Sequence, residues 1–374
     1  MFIYVSMMIW NAFCGLLSKD SEVTCIIEGR EEKRSNFFFS FLTMAYIAFF
    51  LGHIDSLFDL TAYEMGYKTV PYEPSQILEY MKTVEKYPGF FGLEVLFKTF
   101  ISTEFFHFNL TLVIFDCLAI LYFYRKYSCS FSFSMFLFLA SEKHIWMVNG
   151  VKQFLAVCII LCFSKYLMEK KFWKFAIGVF IASLFHTSAL VVIPVYFFVH
   201  GKPWNKKMLL ILFGSILAVT FVSEFTGIME IILSDTNYDS SVLETYSGSN
   251  WLRIPIAAAP AIIALVSRKK IEDTAPKYIN ICINMSLVSA CIYLVAAFTS
   301  GIHMGRMPIY FELYGFVSLP WLLDNAFDKE TGKTVKIVCV VCYLIMYYLI
   351  SWGTPYFSRI LEIYMSPYNM FIVP

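Results

Sequence analysis

The stretch 147–156 places Asn149, Gly150, Lys152 and Gln153 between two apolar runs of the chain. If those runs cross a membrane, these side chains lie at its edge, where polar groups are costly and commonly serve a function. Lys152 could bind an anion, and the two amides, at i and i+4 on one helix face, could donate hydrogen bonds to sugar hydroxyls. Headgroup anchoring by the lysine and helix–helix fastening by the amides are the alternative interpretations.

Two residues are candidate general bases. His186 lies in the middle of the apolar run 175–198, and an imidazole kept neutral by burial suits proton abstraction. A hydrogen bond to a neighbouring helix would also account for a histidine in a membrane segment. Asp59 follows the second apolar run and could accept the proton instead, although a solvated loop acid is the simpler interpretation of this residue.

Two arginines are candidates for binding an anionic ligand. Arg306 follows Gly301 and Gly305 and precedes Pro308, so the backbone around it is pliable and could bring the guanidinium close to a ligand. Arg253 lies near the end of an apolar run, where a cation could also anchor at lipid headgroups. Guanidinium groups in this setting suit a diphosphate, because their donors match phosphate oxygens in pairs.

The composition identifies the surroundings of the chain. Of its 374 residues 59% are hydrophobic and 15% are charged, and the mean hydropathy is +0.65, which is typical of a protein that crosses a membrane many times. The net charge of +1 argues against nucleic acid as a partner. The ten cysteines are scattered, and no zinc, P-loop or nucleophile-elbow spacing occurs, so neither a metal nor a cofactor is predicted.

The elements that must position these residues are transmembrane helices. We expect an all-α polytopic transmembrane protein with about ten to twelve spans, forming one membrane domain over residues 1–374. Two larger segments, 53–103 and 226–250, should lie on the outer face, the first as an interfacial helical layer with Glu94 and Lys98 at i and i+4 on one helix. The predicted spans are 2–17, 36–52, 104–124, 129–147, 150–168, 209–225, 251–267, 279–299, 309–324 and 335–351.

The basic residues set the predicted topology. Clusters lie at 30–34, 125–126, 170–174, 202–207, 268–270 and 329–336, and all fall on the cytoplasmic side if the N-terminus is outside. The apolar run 175–198 must then return to the side it left, yet it is too short for two full crossings. We therefore predict a re-entrant or broken hairpin that bends at His186, Thr187 and Ser188, with Pro194 loosening its return limb. The polar residues then gather at the outer face, in a site that opens outward.

The residues gathered there resemble the EpsG/Wzy-like polysaccharide polymerases of bacterial envelopes, over roughly 39–323. The family pattern N-G-(I/V)-R-Q-x-x-A is similar to 149–156, and A-x-x-x-H-x-S-A is similar to 182–189. The patterns D-x-x-x-Y and R-x-x-x-Y-F are similar to 59–63 and 306–311. The chain departs from the family at Lys152, where an arginine is usual, and at Gly52 and His53, where an arginine usually precedes the aspartate. Lysine keeps the charge but loses the two-pronged grip on phosphate, which shifts weight to Arg253 and Arg306.

The resemblance implies a multi-spanning glycosyltransferase of the lipid-donor (GT-C-like) type in the bacterial cytoplasmic membrane. It would join undecaprenyl-diphosphate-linked oligosaccharide repeat units outside that membrane, one as donor and one as acceptor, and a chain-length regulator protein is a further partner to consider. A base would deprotonate the acceptor hydroxyl, and cations would stabilise the departing diphosphate. The base would be His186 or Asp59, the cations Arg306, Arg253 and Lys152, and further substrate contacts would come from Asn149, Gln153, Tyr63 and Tyr310.

Two other functions fit parts of the pattern. A membrane acyltransferase that decorates a surface glycan could also use an intramembrane histidine, but its acyl donor would enter from the cytoplasm, opposite to the predicted site. A flippase or other transporter of lipid-linked sugars should show repeat-like halves with charged residues at mid-membrane, and the sequence shows neither.

Overall fold

The computed structural model describes residues 2–54, 59–222, 249–299 and 304–352, and this part of the chain is almost entirely helical. Three of its helices are long and apolar enough to cross a membrane, namely Phe105–Tyr127, Lys277–Phe298 and Lys329–Ile350. Several shorter apolar helices accompany them. The architecture therefore agrees with the predicted all-α polytopic membrane protein.

The elements are numbered here in chain order. The first half contains α1 (Phe2–Ser18), β1 (Val23–Ile27), β2 (Arg30–Arg34), α2 (Phe37–Gly52), α3 (Leu60–Thr69), α4 (Ile77–Thr83), α5 (Pro88–Phe100), α6 (Phe105–Tyr127), α7 (Phe131–Ala140), α8 (Val151–Cys162), α9 (Ser164–Met168) and α10 (Phe172–Ser183). The second half contains α11 (Val192–Val199), α12 (Lys206–Thr220), α13 (Arg253–Val266), α14 (Arg268–Ile271), α15 (Lys277–Phe298), α16 (Ile309–Asn325) and α17 (Lys329–Trp352).

Helix α15 is the centre of the bundle. Of its most apolar stretch, 83% is buried inside the protein, against 22% for α17, so α17 packs at the periphery and faces lipid. Large aromatic side chains fill the interior around α15, among them Tyr278, Phe123 and Tyr314. The rings of Phe123 and Tyr314 meet edge to face with centroids 5.0 Å apart, which joins α6 to α16.

Two predicted spans are wrong as single helices. The run 129–147 forms the short helix α7, which ends where Glu142 takes a positive φ of 58°, and a 3-10 turn, Lys143–Met147, follows. The break accommodates Lys143, whose buried ammonium lies 2.7 Å from Glu312 Oε2. The run 150–168 is divided at Phe163 into α8 and α9.

The broken hairpin in 175–198 is confirmed. Helix α10 ends at Ser183, His186 is extended with φ −155° and ψ 116°, and α11 then runs back along α10. The rings of Phe172 and Phe197, at the ends of the two limbs far from the bend, have centroids 4.9 Å apart. Pro194 lies in the first turn of α11, directly after the 3-10 turn Thr187–Val191, and its loosening of this limb stays a prediction.

The basic clusters meet at one end of the bundle, which we call the basic end. Arg34 Nε donates to Lys126 O at 3.1 Å, and Lys202 Nζ lies 3.2 Å from Glu272 Oε1. The hairpin of α10 and α11 begins and finishes at this end, since His200 Nε2 lies 2.9 Å from Leu167 O. The predicted gathering of these basic clusters on one side therefore agrees with the structure.

A two-stranded antiparallel sheet at the basic end was not predicted. Strands β1 and β2 are joined by Glu28 and Gly29, which take positive φ angles of 50° and 78° as a tight hairpin turn requires. Glu28 Oε2 accepts from Lys277 N at 2.9 Å, and Arg34 bonds both Glu32 and the Tyr278 hydroxyl. The sheet therefore fastens the N-terminal part of the chain to the start of α15.

The segment 53–103, predicted as a helical layer on the outer face, contains the helices α3, α4 and α5. Glu94 and Lys98 both lie on α5 at i and i+4, as predicted. Lys98 Nζ donates to the carbonyls of Tyr67, Lys68 and Val70, at 2.8, 3.0 and 2.6 Å, and so satisfies the C-terminal end of α3. The second outer segment, 226–250, lies outside the described residues except for its last two.

Candidate active site

Four segments singled out from the sequence meet at the end of the bundle opposite the basic end. Gln153 Nε2 lies 3.4 Å from Ser188 Oγ and 3.2 Å from Arg306 O, which joins the start of α8 to the hairpin bend and to the turn before α16. Lys152 Nζ lies 5.4 Å from the centroid of the Tyr63 ring on α3. The segments 59–63, 149–156, 182–189 and 306–311 are therefore in direct contact.

A hydrogen-bond network centred on Ser188 holds the histidine. His186 Nδ1 lies 2.6 Å from Ser188 Oγ, and the Tyr310 hydroxyl lies 2.9 Å from the same oxygen. The Tyr87 ring stacks on the imidazole, with centroids 5.2 Å apart and planes inclined by 16°. Ser188 was named in the sequence only for the hairpin bend and the family pattern, and Tyr87 was missed, because nothing in its own pattern marks it out. The histidine is half-buried, with its ring orientation set on two sides.

The network restricts the proton positions around Ser188. Arg306 O can only accept, so the Gln153 amide must present its NH2 group, and this group also donates to Ser188 Oγ. The hydroxyl then has one proton and one remaining acceptor position for His186 and Tyr310. If His186 Nδ1 donates to Ser188, Ser188 donates to Tyr310, and Nε2 of the histidine is left as a proton acceptor.

Lys152 is enclosed by four aromatic rings, which together we call the lysine cage. Its ammonium lies 5.4, 5.3, 5.0 and 4.2 Å from the ring centroids of Tyr63, Tyr87, Phe90 and Phe91. Such rings attract a cation without neutralising it, so they fix the position of the charge and leave its donors for a ligand. Burial raises the pKa of Tyr63 to about 12, so this phenol stays neutral beside the ammonium at physiological pH.

Glu94 is a second residue that the sequence reasoning missed as part of the site. Its carboxyl is buried, with 2% of the side chain exposed, and Oε2 has no hydrogen-bond partner among the described residues. Burial raises the pKa of Glu94 to about 7, while the charges of Lys152 and Lys98 act in the opposite direction. The signal was present, since an acid on the apolar face of 90–101 must be buried when that face packs.

Arg306 lies at the rim of the site. Its side chain is exposed, and Cζ is 5.9 Å from the centroid of the Trp146 ring. The charges of Arg306 and Lys152 both act on the imidazole of His186, so two cations lie near the histidine. This arrangement can bind an anionic group beside a proton acceptor. Gly301, which the sequence interpretation coupled to the pliability of this turn, lies outside the described residues.

Asn149 occupies a position other than expected, whereas Asp59 lies at the edge of the site. Asn149 precedes Gly150, whose φ of 88° ends the turn before α8, so Asn149 and Gln153 do not share a face of one helix. Asp59 is the N-cap residue of α3, and its carbonyl accepts from Tyr63 N at 3.1 Å. The negative charge of its carboxylate is close enough to interact with the Tyr63 phenol. Asp59 therefore lies beside the lysine cage, on the α3 side of the site.

Arg253 belongs to a separate ion network. Its Cζ lies 5.9 Å from the centroid of the Tyr293 ring, and the Tyr293 hydroxyl donates to Glu312 Oε2 at 2.8 Å. The same carboxylate pairs with Lys143, and the negative charge of Glu142 also attracts the guanidinium of Arg253. These charges compensate one another where α13, α15 and α16 meet. The structure thus groups Arg253 with acids, apart from the cations that lie near His186.

Comparison with known proteins gives one family. The model of the EpsG family matches residues 33–370, which include all four segments that meet in the site. No curated protein and no solved structure matches the chain. Because the match covers most of the sequence, the chain belongs to the EpsG family.

Proposed function

We propose that this protein polymerises undecaprenyl-diphosphate-linked oligosaccharide repeat units into a surface polysaccharide, as a glycosyltransferase with a lipid-linked donor and a GT-C-like architecture. Its family is linked to exopolysaccharide biosynthesis. The observation that carries the proposal is the presence of two cations, Lys152 and Arg306, close enough to His186 for their charges to act on it. A reaction that expels a diphosphate and deprotonates a sugar hydroxyl needs such a combination.

In the proposed reaction, His186 Nε2 accepts the proton of the acceptor hydroxyl as that oxygen attacks the anomeric carbon of the donor. The bond from this carbon to the diphosphate breaks, and the diphosphate leaves with the bonding pair. Ser188 Oγ lies at the opposite ring nitrogen of His186, and when Nδ1 donates to this oxygen, Nε2 is the nitrogen that can act as the base. Asp59 is the alternative base, on the α3 side of the site.

The two cations divide the binding of the diphosphate. Lys152, held within four aromatic rings, supplies a fixed point charge. Arg306, exposed at the rim, supplies paired donors that can follow the leaving phosphate. Gln153 donates to Arg306 O and thereby fixes the backbone that carries the guanidinium. In this proposal Asn149, Tyr63 and Tyr310 contact the sugars or support these groups.

The proposed orientation puts the basic end in the cytoplasm and the site on the outer side of the bacterial cytoplasmic membrane. The basic clusters at one end of the bundle support this orientation, because lysine and arginine accumulate in cytoplasmic loops. The flipped repeat units are present on the outer side, where the site would meet both donor and acceptor.

The test is the glycan profile of a deletion strain that carries wild type, His186→Asn or Arg306→Ala, resolved by repeat number. Asparagine keeps a polar side chain near Ser188 but cannot serve as the base, and we expect a single-unit band in place of the ladder. Arg268→Ala removes an exposed arginine at the basic end and serves as the matched control. Immunoblots of membranes should show equal protein in all strains.

The variants test the roles of the individual residues, and the deletion strain tests the activity itself. A normal ladder with His186→Asn would remove this residue from the chemistry and make Asp59 the base to test. A normal ladder with Arg306→Ala would refute the diphosphate role of that arginine. If deletion of the gene leaves the ladder unchanged, the proposed polymerase activity is wrong and the acyltransferase becomes the function to test.

A further inference from the structure

Tyr87 occupies a strained position at the start of α5. It is the N-cap residue of that helix, and its backbone is left-handed, with φ 55° and ψ 47°. A bulky residue rarely adopts a positive φ, because its side chain then crowds the neighbouring backbone. Strain of this kind persists only where the surrounding structure enforces it, and it is most common at functional sites. A function of the Tyr87 side chain would account for the conformation.

Backbone contacts hold this turn in place. Tyr87 O accepts from Phe90 N at 3.0 Å, which closes the first turn of α5. Gly89 N donates to Leu184 O at 2.9 Å, and Leu184 lies two residues before His186 in the hairpin. A side chain at Gly89 would not fit, since its Cβ would lie 2.9 Å from Leu184 Cβ and 3.1 Å from Leu184 O. The start of α5 is therefore held directly against the hairpin bend.

The turn brings one ring into contact with both groups that the proposed reaction uses. The Tyr87 ring stacks on the His186 imidazole, with centroids 5.2 Å apart, and its centroid lies 5.3 Å from Lys152 Nζ. Within the described part of the chain, no other ring of the lysine cage stacks on His186. Such contacts are individually weak, but they favour particular orientations of the groups they join. Tyr87 therefore links the position of the imidazole to that of the ammonium.

We propose that Tyr87 is a positioning residue that sets the spacing between the base and the cation, because the strained turn fixes its ring against both His186 and Lys152. The inference rests on the proposed function, in which the imidazole accepts the proton of the acceptor hydroxyl and the ammonium binds the departing diphosphate. The attacking oxygen and the leaving diphosphate share one anomeric carbon in the transition state. The base and the cation must then stay at a set distance, and a small displacement of either is costly.

The first test replaces the ring in the full-length protein in nanodiscs, with lipid-linked repeat units extracted from the deletion strain as substrate. Tyr87→Leu should lower kcat of polymerisation about tenfold with little change in KM, since positioning acts on the transition state. Tyr87→Phe keeps the ring and should retain most of the rate. Tyr72→Leu makes the same change at an exposed tyrosine whose ring lies 6.0 Å from Lys98 Nζ, and it should leave kcat unchanged.

The second measurement needs no polymerase activity. Diethyl pyrocarbonate acylates neutral imidazole nitrogens, and peptide mass spectrometry gives the rate at each histidine. Tyr87→Leu should raise the rate at His186 about three- to tenfold, the factor to which one aromatic pair corresponds. Tyr87→Phe and Phe91→Leu should leave it unchanged. Phe91 belongs to the lysine cage but does not stack on the imidazole, so its variant separates loss of the cage from loss of the stacked ring.

A third comparison leaves every side chain of the site in place. Gly89→Ala should force the start of α5 away from Leu184 and reproduce both effects of Tyr87→Leu. Gly92→Ala, in the same helix, places its Cβ 3.6 Å from Met81 Cε, which is an ordinary contact, and should change neither kcat nor the acylation rate. Immunoblots of membranes should show equal protein for both variants.

The readouts separate this inference from the proposed function. A wild-type kcat in Tyr87→Leu, or an unchanged acylation rate at His186, would overturn the positioning role. A loss in Tyr87→Phe as large as that in Tyr87→Leu would overturn it as well, since the hydroxyl rather than the ring would then matter. If the wild type forms no polymer, the proposed function fails, and the acylation rates still decide whether Tyr87 holds the imidazole in place.

Discussion

Glu94 makes the stability of the protein depend on pH in a direction opposite to that of most acids. Burial raises the pKa of Glu94 from 4.5 to about 7 in the folded protein, even against the opposing charge of Lys152. In the unfolded chain the carboxyl should titrate near its ordinary value. Below pH 4.5 the carboxyl is protonated in both states and costs nothing. As the pH rises from 4.5 to 7, ionisation stabilises only the unfolded chain, and the folded protein loses about 1.4 kcal/mol for each pH unit.

The substitution Glu94→Gln should remove this penalty, because glutamine resembles the protonated acid and cannot ionise. The difference between 4.5 and about 7 corresponds to about 3 kcal/mol, so the variant should be more stable than the wild type by about that amount at pH 8. At pH 4.5 the two proteins should be equally stable. Glu79→Gln replaces an exposed acid of the neighbouring helix α4 and should change nothing at either pH.

The measurement is the free energy of unfolding of detergent-purified wild type, Glu94→Gln and Glu79→Gln at pH values between 4.5 and 8. The gain of Glu94→Gln over wild type should grow with pH up to about 7 and then level off. A gain of the same size at every pH would mean that packing, rather than ionisation, distinguishes the two side chains. A loss of stability at pH 8 would show that the carboxylate is a favourable partner of Lys152, which contradicts the reasoning.

Three further predictions follow from the hairpin and the histidine network. Ser188→Ala should lower the rate of polymerisation about tenfold or more at normal membrane abundance, because it removes the group that orients His186; an unchanged rate would assign Ser188 to packing alone. Gly178→Ala should destabilise the protein by about 1–3 kcal/mol, since the added Cβ would overlap the Phe163 ring, and an unchanged unfolding midpoint would refute that close approach. Single cysteines in place of Lys171 and Lys206 should react with an impermeant thiol reagent from the same membrane face; labelling from opposite faces would exclude the hairpin.

The positions of most apolar helices could be predicted because each depends on a continuous run of residues. The helices α2, α6 and α15 begin and end within a few residues of the predicted spans for this reason. The broken hairpin was predictable from the basic residues on either side of 175–198, since a single crossing would have separated them.

The details that escaped prediction depend on residues distant in sequence. The end of α7 reflects the pairing of Lys143 with Glu312, and nothing near Lys143 reveals this partner. The lysine cage follows the same rule, because Phe90 and Phe91 enter it from a helix that looks purely interfacial in the sequence. The structure also offers a physical reason for Lys152 in place of the family's usual arginine, since a compact ammonium fits among four rings.

The β-hairpin also constrains how the protein can be made. Arg34 reaches its partner Tyr278 across 244 residues, so during synthesis the ribosome must produce most of the chain before that bond can form. Until then Arg34 lacks this partner, and Glu28 lacks the Lys277 N–H that it accepts from in the complete bundle. The early helices are therefore synthesised well before the bundle that holds them can be completed.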